Sequence, residues 1–169
     1  MVSAGESHGL APCGQAALES LRQEAGYLLV GNDHDKETNP IEAGLGWTVK
    51  FDKSHFNGKG ALAELMEKGV GRQLVWLDLT DKDEVAAGAR VETLHGQPIG
   101  TVTSASFSPT RERAVAMAYV TSEWAVKGMR VQIQDELATR SASVSVMPLY
   151  DPGDTRTRPS TAPASASRA

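Results

Sequence analysis

A single cysteine, Cys13, is all that 169 residues contain. A lone thiol closes no internal disulfide and offers no zinc spacing, so the expected compartment is a reducing, cytoplasmic one. Histidine is also scarce. His8, His34, His55 and His95 are scattered through loop-like stretches, and nothing pairs them as metal ligands. Lysine and arginine never gather into a stripe, and the formal net charge is −4, which argues against a nucleic-acid partner. No apolar run approaches the roughly 20 residues of a membrane helix, so a membrane partner is not expected. The opening Met1-Val-Ser-Ala-Gly-Glu-Ser-His8 lacks the basic flank and apolar core of a secretory signal. Ser104 and Ser108 have no His/Asp arrangement to activate them, which excludes a serine hydrolase. No internal repeat is visible.

What remains is a globular composition, 40% hydrophobic and 22% charged, with room for one or two small cores. Ala16, Ala17, Leu18, Leu21 and Ala25 recur at helical spacing, predicting a helix over 13–25 with Pro12 at its start and Gly26 as its C-cap. Glu19 and Arg22 lie three apart and should neighbour each other on its surface. A short apolar run, Tyr27 to Val30, leads into a polar, turn-rich loop, Gly31 to Pro40. Ile41 should begin one helical turn, after which Trp47, Val49 and Phe51 alternate as in a strand. Leu62, Leu65 and Met66 predict a second helix over 59–68, stopped by Gly69.

From Arg72 the pattern changes. The stretches 74–79, 89–94, 97–107, 114–120, 129–134 and 142–146 all read as strands. Turn residues such as His95-Gly96 and Lys127-Gly128 separate them. Gly100, inside a strand run, marks a bulge or a barrel corner. The expected fold class is α+β: an α/β piece over 1–69, then a small six-stranded antiparallel β-barrel over 70–152. The Ser-, Thr-, Pro- and Ala-rich segment 153–169 should be a disordered tail.

Several motifs stand in a fixed order. Ala17-Leu-Glu-Ser-Leu-Arg-Gln-Glu-Ala-Gly26 comes first, then Gly31-Asn-Asp33 and Thr38-Asn-Pro-Ile-Glu-Ala-Gly-Leu-Gly-Trp47. Phe56-Asn-Gly-Lys-Gly-Ala-Leu62, Ile99-Gly-Thr-Val-Thr-Ser104 and Met147-Pro-Leu-Tyr-Asp-Pro152 follow. Together they resemble the C-terminal part of the tetrahydrofolate-dependent aminomethyltransferase family. Its type member is the glycine cleavage T protein, and the same module ends dimethylglycine and sarcosine dehydrogenases. The resemblance runs from His8 to Arg156. Gln23 departs from it, because the residue after the arginine is usually leucine in the family. A related branch that assists iron–sulfur maturation carries a cysteine loop where this chain has Ser54-His-Phe-Asn-Gly-Lys-Gly60, and that cysteine is absent.

The resemblance implies the end of an α/β folate-binding domain followed by the family's barrel. It implies tetrahydrofolate as ligand, and transfer to it of a one-carbon unit from an aminomethyl or iminium donor. Arg22 matches a position that contributes to the folate site, where a planar fork of donors suits carboxylate or pterin oxygens. Tyr150 lies in the terminal segment that approaches folate in relatives, and otherwise packs on the barrel like Tyr119 and Trp124. The family's catalytic carboxylate belongs to its N-terminal part, so no catalytic residue is assigned here. The chain alone is therefore expected to be inactive, as a partial gene product or one subunit of a split enzyme. Its partner would be an N-terminal folate-binding half or a flavin dehydrogenase domain. The alternative is a non-catalytic folate-binding or structural barrel subunit of a split demethylase or dehydrogenase.

Other residues have more ordinary expected roles. Glu42 should cap a helix start or hold Arg22 in place. Asp33 should shape its loop as an Asx residue. Gly44 and Gly46 should permit close backbone packing. Trp47 should lie in the core or between subdomains. Cys13 should be a small packing residue at a helix start.

Overall fold

The structure, a computed structural model, describes residues 2–136, 138–146 and 148–152. The expected disordered tail over 153–169 and Met147 of the terminal motif lie outside the described residues. Six strands, β1 (Arg72–Leu79), β2 (Arg90–Glu92), β3 (Pro98–Ser108), β4 (Arg113–Thr121), β5 (Arg130–Gln134) and β6 (Thr139–Ser145), close into a barrel in the order β1-β4-β3-β2-β5-β6. Every pairing is antiparallel.

Alternation along the strands fills the barrel. Val75, Leu77 and Leu79 of β1 point inward with Val91, Val102, Val120, Val131, Ile133 and Val144. Alanines of β4 (Ala114, Ala116, Ala118) leave room for these branched side chains. The β2–β3 connection centres on His95-Gly96 as expected: Gly96 takes φ +80°, and the Thr93 hydroxyl accepts from the His95 and Gln97 amides. Gly100 is required by close approach. A Cβ there would stand 2.1 Å from the Tyr119 carbonyl oxygen of the neighbouring strand.

β1 and β4 are buried on both faces. Their outward residues Leu74, Trp76, Met117 and Tyr119 form a second cluster, covered by Leu28 and Leu149. Three helices precede the barrel, α1 (Val2–Gly5), α2 (Gln15–Ala25) and α3 (Lys59–Lys68), and α2 packs against β3 and β4. α2 ends at Gly26, at φ +77°, as the C-cap expectation required.

Two local expectations differ, and the orientation of α2 is added by the fold. Helix α2 starts at Gln15 rather than at Cys13, and Cys13 is exposed outside it. The 47–51 stretch is a short 3₁₀ turn over Gly46–Thr48 followed by further turns rather than a strand, since no neighbouring strand offers it a ladder. The apolar stripe of α2 faces away from the barrel: Leu18 and Leu21 are 57% and 64% exposed, while Arg22, Gln23 and Glu24 are buried. No helix among the described residues is long and apolar enough to cross a membrane.

Candidate functional site

The buried side of α2 is polar because the wall beneath it is polar. Strand β3 carries Ser104, Ser106 and Ser108, all buried. A register shift in the β3–β4 pairing falls between Val102 and Ser104. A bulge of this kind turns two successive side chains to one face. Thr103 and Ser104 therefore both reach outward, and both hydroxyls donate to Asp33 Oδ1, at 2.7 and 2.6 Å.

Asp33 is fully buried and is the hub of the site. Its Oδ2 accepts from Arg22 Nη1 at 2.7 Å and from the Leu29 amide at 2.9 Å. Its main-chain carbonyl accepts the Tyr119 hydroxyl at 2.9 Å. A carboxylate that accepts four donors is a structural anion, with no lone pair left to act as a base. Asp33 keeps the expected loop-shaping role through the Leu29 amide and adds a long-range one to Arg22, Thr103 and Ser104.

Arg22 is 8% exposed. Nε pairs with Glu19 at 2.6 Å, the (i, i+3) neighbour expected from sequence, and Nη1 also reaches the Tyr27 carbonyl. Nη2 is enclosed and has no hydrogen-bond partner among the described residues. Gln23 Oε1, Ser106 Oγ and Trp76 Nε1 are likewise buried without a partner. An unmatched charged donor in a buried place costs free energy until an oxygen meets it.

Beside this hub a cavity of about 450 Å³ opens between the 31–38 loop and the barrel wall. Its walls include His34, Asp35, Thr38, Arg72, Thr101 and Tyr119. Glu42 holds Arg72 here, at 2.5 Å, and not Arg22 as the sequence suggested. Asn39, rather than Glu42, caps the Pro40 turn, its Oδ1 accepting the amides of Ile41 and Glu42. The Arg72 guanidinium lies 4.6 Å above the Tyr119 ring centre and is kept protonated above its ordinary range by Glu42. Burial pushes the Tyr119 phenol up from its ordinary value, and nearby Arg72 offsets part of that. Asp35, on the exposed rim, is held below its ordinary value, chiefly by the Glu37 amide.

Tyr150 is half-buried, and its amide donates to the Glu24 carbonyl at 3.2 Å, two residues along α2 from Arg22. The Tyr150 backbone is thus tied to the C-terminal end of the helix that carries Arg22. Trp47 is 69% exposed, so within these residues it belongs to no core. Gly44 and Gly46 have open space where a Cβ would stand; Gly44 is required by φ +71° and not by packing. Sequence spacing gave no sign of Thr103, Glu24, Arg72 or Arg111, because each meets partners far away in the chain. The Ser104, Ser106, Ser108 alternation was the available signal: three small hydroxyls on one strand face predict a polar surface covering it. Among the described residues no group of His, Cys, Asp and Glu could hold a metal ion.

Comparisons with known proteins agree on one family. Residues 72–151 match the model of the glycine cleavage T-protein C-terminal barrel domain, and residues 1–53 match that of the GCVT N-terminal domain. The aminomethyltransferase of Halothermothrix orenii is 44% identical over 133 residues, 79% of this chain and 37% of that protein. The aminomethyltransferase of Bacillus velezensis is 38% identical over 151 residues, 89% of this chain and 41% of that protein. The crystal structure of glycine cleavage system aminomethyltransferase T from Bartonella henselae superposes with a TM-score of 0.73 at 38% identity, over 79% of this chain and 38% of that one. The chain therefore spans about two fifths of the length of the relatives it matches.

Proposed function

The chain belongs to the aminomethyltransferase family of the glycine cleavage T protein, and from that premise we propose that it is the C-terminal portion of a tetrahydrofolate-dependent aminomethyltransferase. The reaction is transfer of a one-carbon unit from an aminomethyl or iminium donor to tetrahydrofolate. Residues 1–69 close the folate-binding domain and 70–152 form the barrel that supports it.

The observation that carries this reading is Arg22. Its Nε and Nη1 are fixed by Glu19 and Asp33, and Nη2 is left without a partner. With Nε and Nη1 committed, Nη2 is the uncommitted donor, and a planar carbonyl or carboxylate oxygen of a folate that reaches this enclosed position would complete the guanidinium's hydrogen bonding. Residues of this chain hold and orient that ligand; the folate supplies the nitrogens that accept the one-carbon unit. Asp33 accepts four donors and Glu24 three, so both carboxylates are engaged in holding the fold rather than in the chemistry. A polypeptide of these residues alone therefore binds without turning over. A second folate-binding segment completes the site and covers exposed apolar side chains such as Leu18, Leu21 and Trp47.

Titration calorimetry with tetrahydrofolate under anaerobic, reducing conditions tests this. The expected result is saturable binding, weakened roughly tenfold or more in Arg22→Lys, which keeps the charge and loses the fork. A well-folded chain that shows no binding, or equal binding in the variant, overturns the role given to Arg22.

A further inference from the structure

Glu24 stands two residues beyond Arg22 and is 4% exposed. Its carboxylate accepts three donors from the β3–β4 turn: the Ser108 hydroxyl, the Thr110 amide at 3.1 Å and the Thr110 hydroxyl at 3.0 Å. Its main-chain carbonyl accepts the Tyr150 amide. The same turn sends Arg111 in the opposite direction. Arg111 Nε and Nη2 grip the Asp78 carboxylate of β1, and Nη1 donates to the Leu149 carbonyl at 3.2 Å. The Arg111 amide returns to the Ser108 hydroxyl at 3.1 Å. Three segments distant in sequence, the end of α2, the 108–111 turn and residues 149–150, thus form a closed ring of hydrogen bonds.

Packing reinforces the ring. A Cβ on Gly26 would lie 2.5 Å from Pro148 Cγ and 3.0 Å from the Trp76 indole, so the terminal segment is seated directly on the end of α2. The turn itself is conformationally demanding: Glu112 adopts φ +56°, a region that few non-glycine residues enter without surrounding support.

We propose that Glu24 and Arg111 are positioning residues that clamp the Tyr150 segment onto the C-terminal end of α2, beside Arg22. Neither is placed against the ligand. They set where Tyr150 stands relative to Arg22, and so set the shape of the folate-facing surface. This rests on the folate reading above, but the clamp itself can be tested without a ligand.

The chain has three tyrosines, Tyr27, Tyr119 and Tyr150. ¹⁵N-tyrosine labelling of the full chain therefore gives three backbone amide signals with built-in controls. The Tyr27 amide is bonded to Arg22 within the helix cap, and Tyr119 lies in the barrel. Glu24→Gln replaces one acceptor oxygen with an NH₂ facing the turn's donors, and Arg111→Ala frees the Leu149 carbonyl. Each should accelerate amide exchange at Tyr150 roughly tenfold or more while leaving Tyr119 unchanged. Arg111→Lys, which keeps the charge without the fork, should recover part of the protection. Tetrahydrofolate affinity should fall in step with the loss of Tyr150 protection. Unchanged exchange at Tyr150 overturns the clamp, as does an equal rise at all three amides, which reports general destabilisation. Faster Tyr150 exchange with undiminished folate affinity overturns the positioning role. If the wild-type chain binds no folate, the functional reading fails instead, and the exchange data alone decide the clamp.

Discussion

Replacing Asp33 by asparagine is the sharpest perturbation of the hub. The side chain is fully buried, and its two oxygens accept from Arg22, Leu29, Thr103 and Ser104 at 2.6–2.9 Å. Asparagine keeps the shape, removes the charge and exchanges one acceptor for a donor. If its NH₂ faces Thr103 and Ser104, those hydroxyls can turn, and Thr103 still reaches the Met117 carbonyl at 3.2 Å. The amide oxygen then faces Arg22 and the Leu29 amide. What is lost is the charge on one buried hydrogen-bonded pair, leaving Glu19 as the charged partner of Arg22. Hydrogen bonds to charged groups contribute about 1.5–3 kcal/mol. Removing one member of a buried ion pair costs about 3–5 kcal/mol. Asp33→Asn, which retains part of the hydrogen bonding, should therefore destabilise by about 2–4 kcal/mol, a large share of the roughly 5–15 kcal/mol that holds a domain folded. Glu19→Gln, at a half-exposed partner, should cost only about 1 kcal/mol or less. Urea unfolding followed by fluorescence of Trp47, Trp76 and Trp124 measures both. A loss below about 1 kcal/mol for Asp33→Asn, or equal losses for the two variants, would refute the claim that Asp33 organises the site.

Three further outcomes follow from the same geometry. Gly100→Ala should destabilise the barrel by about 3 kcal/mol or abolish folding, since the added methyl meets a backbone oxygen that cannot yield; a midpoint within the range of surface variants would contradict this. Tyr119 should ionise above the ordinary 10.0, chiefly because it is buried, as read by phenolate absorbance. A phenol whose folded pKa is raised contributes stability that is complete below the unfolded value and is lost as pH rises toward the folded one, so unfolding midpoints should fall only above about pH 10. Tyr119→Phe should remove that alkaline slope, and its persistence would assign the slope elsewhere. Leu18→Ser with Leu21→Ser should shift stability by about 0.5 kcal/mol or less while reducing hydrophobic-dye binding and self-association, because both leucines face solvent; a large stability loss would show that they are packed.

The barrel was legible in the sequence because its physics is local. Short strand-like runs such as 74–79 and 114–120, punctuated by turns such as His95-Gly96, mark strands and hairpins before any partner is known. Gly100 reads as a bulge or a barrel corner; the β2–β3 register shifts beside it, and the Tyr119 carbonyl stands where its Cβ would be. The α2 helix was equally legible as a helix, but not in its orientation. Periodicity shows that Leu18 and Leu21 share a face; it does not say which face meets the barrel. The answer lies in a strand some eighty residues away, where a bulge and three serines make a polar wall that selects Arg22, Gln23 and Glu24. The long-range partners of Asp33 were hidden for the same reason: Thr103 and Ser104 both face it only because of that bulge. Glu42 found Arg72 rather than Arg22, a choice made by strand β1 and invisible in spacing. The motifs identified the family; the hydrogen-bond hub required the fold.

The most direct test of the central claim is reconstitution of one-carbon transfer to tetrahydrofolate in trans. The purified chain is assayed alone, and then with a separately produced N-terminal folate-binding segment of a full-length aminomethyltransferase relative. The expected outcome is no turnover from the chain alone and restored turnover with the segment, lost again when Arg22→Lys replaces the wild type. Turnover by the chain alone near the rate of the full-length relative would contradict it, and so would a stable complex of the two parts that remains inactive.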